Sequence, residues 1–300
     1  MEINIDFKDK KPELIKFYRD LATEHLENNI SGLSGHKKKA ESMNRKIQTI
    51  RNDINYQIIN IDWTKNEQLN SILLNNYVSY IVMLEFRNKV WPYEYMAFSR
   101  RIGELWEPFC KLPFDYPVRS LELYEPPKFS KVKNSLRKEI REFVGDLSLD
   151  QNKKDQLKKY FDTVFSLVES GGIKLDLDLH FKQSGVFYDV DYKSGFSSNE
   201  KGNTNRLLLV ASIYHSLQEE HKNIMFVRQK EEDNNHYLQT LKNSPYWEVY
   251  CADEAYDKIK EFTGFNIKKW MNDNMHWDDD ISQEFKEYLS RNDLLKYLTW

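Results

Sequence analysis

Residues 175–195, LDLDLHFKQSGVFYDVDYKSG, contain two short runs in which polar and apolar residues alternate. A period of two predicts β-strands, here over residues 173–182 and 185–194, and the QSG between them predicts a tight turn. Since side chains point alternately to the two faces of a strand, four aspartates fall on one face of this hairpin. That polar face comprises Asp176, Asp178, His180, Phe187, Asp189, Asp191 and Lys193.

The four aspartates are predicted to face each other in pairs. With a turn centred on residues 183–184, Asp176 lies opposite Asp191, and Asp178 lies opposite Asp189. Like charges directly opposite each other destabilise a hairpin by up to about 1 kcal/mol per pair. A hard divalent cation removes this conflict, because Mg²⁺ takes oxygen ligands and commonly binds one or two protein carboxylates. The pattern therefore predicts a magnesium site; a solvated polar hairpin whose lysine neutralises its neighbours is the alternative.

One further acid is predicted to join this site from the preceding segment. NKKDQLKKYFDTVFSLVESGG predicts a strongly amphipathic helix that ends at residues 171–172. Glu169 lies four residues after Phe165 and eight after Phe161, on the face that we expect to pack toward the sheet. A buried carboxylate is costly unless it is paired or bound to a metal, so Glu169 is a candidate catalytic acid. A glutamate that reaches solvent from the last turn is the alternative.

The segments after the hairpin alternate between helix and strand. RLLLVASIYHSLQEE, NNHYLQTLKNS and DEAYDKIKEFTG predict helices, the last capped by Asp253, whereas NIMFVRQ and YWEVYCA predict buried strands. The polar stretch SGFSSNEKGNTN predicts a loop before the first of these helices. The resulting order, α-β-β-α-β-α-β-α, predicts an α/β fold with a mixed sheet that is covered by helices on both faces.

The first half of the chain is predicted to be helical. PELIKFYRDLATEHL, NEQLNSILLNNYVSYIVMLEFRNKVW and EYMAFSRRIGELWEPF all carry apolar residues at helical spacing, and prolines between residues 112 and 127 predict an irregular connector. We therefore divide the chain into a mostly helical region (1–148), a core that holds the mixed sheet (149–265) and a helical C-terminal extension (266–300).

Composition limits the partners and the compartment. Lysine and arginine number 44 against 47 aspartates and glutamates, so any binding of nucleic acid must depend on local basic patches. Cys110 and Cys251 are the only cysteines and lack the spacing of a zinc site, which is typical of a reducing cytosol. The longest apolar run is too short to span a bilayer, and the N-terminus lacks an apolar leader, so we expect a soluble, non-secreted protein.

Asp178, followed after a short hairpin turn by Asp191, Tyr192 and Lys193, resembles the active site of the PD-(D/E)XK nuclease superfamily. The order of elements over about 150–265 is similar to the core of that superfamily. The length and the helical N-terminal half are similar to type II restriction endonucleases, in which elements outside the core read DNA. The resemblance therefore implies that residues 149–265 are the catalytic core and that residues 1–148 serve DNA recognition or dimerisation. Two positions depart from the motif: Leu177 stands in place of the proline, and Asp191 stands where glutamate is commoner.

The resemblance implies Mg²⁺-dependent hydrolysis of double-stranded DNA at a specific sequence. It implies that Asp178, Asp191 and the carbonyl of Tyr192 bind Mg²⁺, and that Lys193 orients or deprotonates the attacking water. Asp176 is the second candidate for the upstream acid, because it lies opposite Asp191 in the simplest register. The resemblance further implies a homodimer in the prokaryotic cytoplasm, with a cognate DNA methyltransferase as a genetic partner only.

Two segments are predicted to contact DNA. The polar loop offers amide and cationic side chains beside the proposed site, and KFSKVKNSLRKEIR (128–141) is a cationic stretch just before the core. A mobile surface loop and a solvated helix face are the alternatives. The predicted DNA contacts are Asn199, Lys201, Asn203, Asn205 and Arg206 in the loop, and Lys131, Lys133 and Arg137 in the cationic stretch.

Two other functions are compatible with these features. One is a repair, junction-resolving or RNA-directed nuclease on the same core, and the other is a non-catalytic DNA-binding protein on a degenerate nuclease fold. The presence of Asp178, Asp191 and Lys193 together favours an enzyme over a simple binding protein. The sequence contains neither the G-x-S-x-G elbow of serine hydrolases nor the lysine spacing of a Walker loop, which argues against both classes.

Overall fold

The chain from residue 11 to residue 115 is mostly helical, as its periodicity predicts. The structure is a computed structural model that describes residues 10–167, 174–197 and 200–300, without the side chains of Phe165 and Leu167. A π-helical turn at Leu26–Ile30 follows the first helix. The helices of this part are α1 (Lys11–His25), α2 (His36–Ile59), α3 (Lys65–Val90) and α4 (Tyr95–Asp115).

Helix α3 is the centre of the helical region. A capping box begins it, in which Thr64 and Glu67 exchange side-chain to backbone hydrogen bonds. From Leu69 onward almost every side chain of α3 is buried, and α1, α2 and α4 all contact it. A helix that is buried around its whole circumference requires neighbours on all sides, which the other helices supply.

Helix α4 continues past the point where its prolines predict an end. Pro108 and Pro113 both lie inside it, and the irregular connector begins only at Tyr116. A proline weakens a helix because it lacks the N–H donor, but the burial of the apolar face of α4 outweighs that loss here. Within the connector, Glu122–Leu123 form a short strand, β1, which the sequence pattern did not predict.

Five strands form one mixed sheet in the order β1-β2-β3-β4-β5, which confirms the predicted α/β class. Strands β1, β2 and β3 are antiparallel, whereas β3, β4 and β5 are parallel. The parallel strands are joined through helices, as parallel connections require. The bounds are β2 (Leu179–Gln183), β3 (Val186–Lys193), β4 (His221–Val227) and β5 (Trp247–Cys251).

The predicted register of the hairpin is wrong. The turn consists of Ser184 and Gly185, both at positive φ (52° and 88°), so its centre lies one residue later than predicted. Two-residue turns with positive φ at both positions match the twist of the strands, and glycine adopts that conformation without strain. A shift of one residue in the turn changes each cross-strand partner by two residues, and His180 therefore pairs with Asp189.

The first strand of the hairpin is also shorter than predicted. Strand β2 begins at Leu179, whereas residues 174–178 are not strand and the chain bends at Asp178. Leu175 is buried against Val132 and Tyr214 rather than on the opposite face of the sheet. The segment that precedes β2 thus turns toward a covering helix, because its leucines find an apolar contact there.

Helices cover both faces of the sheet. One face, with Phe181, Tyr192 and Phe226, joins the hydrophobic core of the helical region. The other face carries Asp191 and Met225 and lies under α7 (Lys201–His215) and α8 (His236–Lys242). The predicted extent of the polar loop is partly wrong, because residues 201–205 form the start of α7.

Helices α5 (Phe129–Asp146) and α6 (Gln151–Leu167) pack on each other beside the sheet. The predicted helix at α6 is correct up to residue 167, and its predicted end lies outside the described residues. The described part of its apolar face does not pack toward the sheet. Tyr160, Phe161 and Val164 are exposed, whereas Val132 of α5 packs against α7. Because α5 occupies the position next to α7, α6 is held to α5 at the surface.

The chain ends in further helices, namely α9 (Asp253–Thr263), α10 (Ile267–Asn274), α11 (Trp277–Asp280) and α12 (Gln283–Arg291). Asp253 is the first residue of α9 and not its cap, which is Ala252 at φ 47°. In the C-terminal part, Asp280 binds Lys11 and Tyr77 and so ties this end to α1 and α3. The predicted domain boundaries stay a prediction. Among the described residues, no helix combines the length and apolar character needed to cross a membrane.

Candidate active site

The candidate site lies at the carboxyl end of β3. Strand β2 starts at Leu179, so Tyr192, near the end of β3, has no partner in β2. The carboxylate of Asp178 takes that place: its Oδ2 accepts a hydrogen bond of 2.8 Å from the backbone N–H of Tyr192. Asp178 is thereby fixed next to the end of β3, where Asp191 and Lys193 share one face.

Asp191 is a buried acid beside two cations. Asp191 is 1% exposed. Burial raises the pKa of its carboxyl to about 6, and the negative charge of Asp178 acts in the same direction. Lys193 opposes this shift, since its Nζ lies 2.7 Å from Oδ2 of Asp191. Oδ2 makes this close ion pair and has no further hydrogen-bond partner among the described residues. A guanidinium nitrogen of Arg206 lies 3.9 Å from the other oxygen.

The donor set fits a hard divalent cation. Asp191 presents a buried carboxylate oxygen without a directed donor, and Asp178 uses only one of its oxygens for Tyr192. The carbonyl of Tyr192 points to the same side of β3 as its N–H, because both groups of one strand residue face the same neighbour. No group of three or more metal-ligating side chains occurs in the described residues. Two carboxylates and a carbonyl suit Mg²⁺, which usually keeps several waters.

The structure separates the two candidates for the upstream acid. Asp178 bonds to the backbone of Tyr192, whereas Asp176 lies exposed in the segment before β2. The predicted opposition of Asp176 and Asp191 depended on the register that the structure corrects. Glu169, the third predicted acid, lies outside the described residues, as does Asn199 among the predicted DNA contacts.

Asp189, the remaining acid of this face, belongs to a different cluster. Its Oδ1 lies 2.7 Å from Nδ1 of His180, its Oδ2 lies 2.7 Å from Nδ1 of His221, and the hydroxyl of Tyr124 donates to Oδ1. The Nε2 of His180 accepts from the N–H of Leu177, so the ring carries its proton on Nδ1 and donates it to Asp189. This network replaces the predicted acid–acid contact, and sequence reasoning missed it because His221 and Tyr124 are distant in the chain.

Hydrogen bonds keep Asp189 ionised in the interior. Burial alone would raise the pKa of its carboxyl, but the bonds from His180, His221 and Tyr124 outweigh burial and lower the pKa below its usual value. Both carboxylate oxygens of this fully buried residue are occupied. Asp189 therefore stabilises the sheet and offers no oxygen to a metal.

The predicted DNA contacts fall into two groups. At the start of α7, Lys201 and Asn205 are exposed, whereas Asn203 donates a hydrogen bond to Glu200 and Arg206 reaches Asp191. On α5 the three predicted cations differ strongly. Lys131 is exposed, Lys133 is buried, and Arg137 pairs with Asp162 of α6 at 2.7 Å.

An open groove of about 600 Å³ lies beyond the end of β3, although Asp178, Asp191 and Lys193 are not part of its lining. Helix α4 forms one wall, and the segments that follow β3 and β4 form the other, so the groove lies at the carboxyl ends of two parallel strands. Its lining includes Gly103, Glu107, Ser194, Arg228 and Gln229. A Cβ atom at Gly103 would lie 2.7 Å from Oγ of Ser194, so a larger residue here would require the Ser194 side chain to move. Sequence reasoning missed the groove because its walls meet only in the folded chain.

Comparison with known proteins leaves the chemistry of the site as the basis for its interpretation. No family model matches the chain, and neither a curated protein nor a solved structure shows significant similarity to it. An assignment of function therefore depends on the geometry at the end of β3.

Proposed function

We propose that the chain is a Mg²⁺-dependent endonuclease that hydrolyses phosphodiester bonds of double-stranded DNA at a specific sequence, as type II restriction enzymes of the PD-(D/E)XK superfamily do. The observation that carries the proposal is the convergence of Asp178, Asp191 and Lys193 at one strand end. Two acids and a lysine seldom converge at one strand end for structural reasons alone, because like charges repel.

Each of the three side chains has a role in this reaction. Asp178 and Asp191, with the carbonyl of Tyr192, would hold the cation. A bound Mg²⁺ supplies a Lewis acid for the phosphoryl oxygen and charge neutralisation at the phosphate. Lys193, which is partly buried and 2.7 Å from Asp191, positions the attacking water and provides positive charge where negative charge develops.

The surroundings of the site support a nucleic-acid substrate. The exposed Lys131 on α5 and Lys201 on α7 offer cations on elements next to the sheet, and phosphate contacts of this kind supply most non-specific affinity. Duplex DNA has two scissile strands related by a two-fold axis, so we propose that the enzyme acts as a homodimer. A cognate DNA methyltransferase would then protect the host DNA in a prokaryotic cytoplasm, without binding this chain.

A digest of plasmid and phage DNA tests the proposal. With Mg²⁺ we expect discrete fragments, and with EDTA we expect none. Asp191→Asn and Lys193→Ala should both abolish cleavage, but only Asp191→Asn should also abolish the strengthening of DNA binding by Ca²⁺. Lys222→Ala, which removes an exposed lysine of β4, is the matched control and should cut at the wild-type rate.

Other outcomes of the same digest identify the alternatives. A smear with Mg²⁺ would indicate a nuclease without sequence specificity, and cleavage of branched DNA or RNA substrates alone would indicate a repair, junction-resolving or RNA-directed enzyme. A shifted but intact duplex would indicate a DNA-binding protein without catalysis. Cleavage by both Asp191→Asn and Lys193→Ala at the wild-type rate would contradict the assignment of the hairpin as the active site.

A further inference from the structure

Arg206, which the sequence pattern placed where the polar loop meets the following helix, lies at the candidate site. It belongs to the second turn of α7, and its guanidinium NH2 group lies 3.9 Å from Oδ1 of Asp191. Its side chain is 40% exposed, so it faces both the carboxylate and solvent. We infer that Arg206 is a catalytic residue that contacts the scissile phosphate, and not a reader of base edges; this inference rests on the proposed nuclease function.

The helix holds Arg206 in a defined position. Thr204 and Leu207, on either side of it, are buried at 1% and 0% exposure, and Leu207 packs against Met225 of β4. These anchors fix the start of α7 over the same face of the sheet that carries Asp191. A side chain on an anchored helix is positioned more rigidly than one on a polar loop, which suits contact with a reacting group.

A second observation indicates that the site is built for a ligand. Oγ1 of Thr204, two residues before Arg206 on α7, is buried and has no hydrogen-bond partner among the described residues, and Oδ2 of Asp191 is buried with the Lys193 ammonium as its neighbour at 2.7 Å. Buried polar atoms of native proteins are nearly always satisfied by protein, water or a ligand. The unpartnered hydroxyl thus belongs to the same turn of α7 that brings Arg206 to Asp191.

The charges at the site explain what Arg206 adds. The two carboxylates and the two cations, Lys193 and Arg206, sum to zero, so a bound Mg²⁺ would bring the total to +2. In the reaction a water loses its proton to solvent and attacks phosphorus, the bond from phosphorus to one sugar oxygen breaks, and that oxygen takes a proton from water. The five-coordinate phosphorane between these steps carries two negative charges, which the site neutralises only when Arg206 is present.

The same charge predicts an opposing effect on metal binding. A guanidinium 3.9 Å from Asp191 repels a divalent cation that approaches this carboxylate. Removal of Arg206 should therefore slow turnover while it strengthens metal binding. A residue that only reads bases, or that only stabilises α7, would not produce this pair of opposite changes.

The experiment compares Arg206→Ala, Arg206→Lys and Arg291→Ala, the last removing an exposed arginine from the end of α12. We expect Arg206→Ala to lower the single-turnover cleavage rate in Mg²⁺ by about 100-fold, as for loss of one group that stabilises transition-state charge. Mn²⁺ titrated calorimetrically without DNA should bind this variant about threefold more tightly, consistent with loss of one partly screened repulsion. Arg206→Lys should recover part of the rate, and Arg291→Ala should match wild type in both assays.

Three results would overturn the inference. If Arg206→Ala cuts DNA at the wild-type rate, Arg206 has no catalytic role, but the proposed nuclease function stands. If Arg206→Ala weakens Ca²⁺-supported binding to the cognate site but not to random DNA, Arg206 contacts bases and not the scissile phosphate. Wild-type protein that cuts no nucleic acid defeats the proposed function, and the inference falls with it.

Discussion

The carboxylate of Asp178 takes the place of a β2 partner for Tyr192. It accepts a hydrogen bond of 2.8 Å from the backbone N–H of Tyr192. Because β2 begins one residue later, the side chain of Asp178 completes the hydrogen bonding that the backbone leaves open. This contact places Asp178 at the end of β3 independently of any cation. The upstream acid of the candidate site is thus positioned by the main chain of the downstream motif.

The first prediction separates the two upstream acids. Asp178→Asn should abolish cleavage and Ca²⁺-enhanced DNA binding, because it removes a metal-binding charge, yet it should remain folded since an amide oxygen also accepts from the N–H of Tyr192. Asp176→Asn, which changes an exposed carboxylate three positions before β2, is the matched control and should retain at least half of the wild-type rate. Loss of activity in Asp176→Asn alone would reverse the assignment. Cleavage rates and filter binding measure both effects.

The second prediction concerns Asp189 and Asp191, two buried aspartates on one face of the sheet. Replacement by asparagine should lower the stability of the fold at Asp189 but not at Asp191. Asp189→Asn should destabilise the fold by about 2–4 kcal/mol, because it disrupts a satisfied buried network that includes His180 and His221. Asp191→Asn should melt no lower than wild type in EDTA at pH 7, because its buried charge is only partly compensated. Thermal unfolding of both variants tests the contrast. An equal loss of stability would mean that Asp191 is as structural as Asp189.

The third prediction gives the pH dependence of these two contributions. The folded pKa of Asp189 is lowered, so its stabilisation is present above the unfolded value near 3.9 and is lost as the pH falls through the lower folded value. The folded pKa of Asp191 is raised to about 6, so wild-type protein should gain stability relative to Asp191→Asn as the pH falls from about 6 toward 4. Melting curves in EDTA between about pH 2 and 8 measure both effects. A difference between Asp191→Asn and wild type that does not change with pH would contradict the second part.

The fourth prediction concerns metal binding. A proton competes with the cation for Asp191, so the affinity for Mn²⁺ should be constant above about pH 6 and fall about tenfold per unit below it. Calorimetric titration between pH 5 and 8 measures this profile. Asp191→Asn should bind Mn²⁺ weakly at every pH, and Asp189→Asn should keep the wild-type profile. An affinity that stays constant down to pH 5 would show that Asp191 is not a ligand.

The fifth prediction revises the phosphate contacts of α5. Lys131→Ala should flatten the slope of log K against log salt by about 1, the value for one lost phosphate contact. Lys133→Ala should leave this slope unchanged and lower the melting temperature, because Lys133 is 8% exposed and lies inside the structure. Binding measured from low to moderate salt checks the slopes. The reverse assignment of the two lysines would contradict the placement of α5.

Several features of the fold follow directly from local patterns. The helical spacing of apolar residues predicts α1, α3, α6 and α9, and the alternation before Ser194 predicts β3. These predictions are confirmed because each depends on residues within a few positions of one another. The apolar face of α6 shows the limit of such patterns: the sequence predicts that this face is buried, but which neighbour occupies the adjacent position is a property of the whole chain.

The sequence by itself determined that Asp191 and Lys193 share a face, because residues two apart in a strand always do. It did not determine which acid faces them, since one residue of difference in the turn moves every partner by two. Only the tertiary structure brought Arg206 to Asp191 and gave Asp189 its hydrogen bonds from His180 and His221. Those contacts join residues on different elements, whose approach is decided by the packing of helices on the sheet and by the need to satisfy a buried charge.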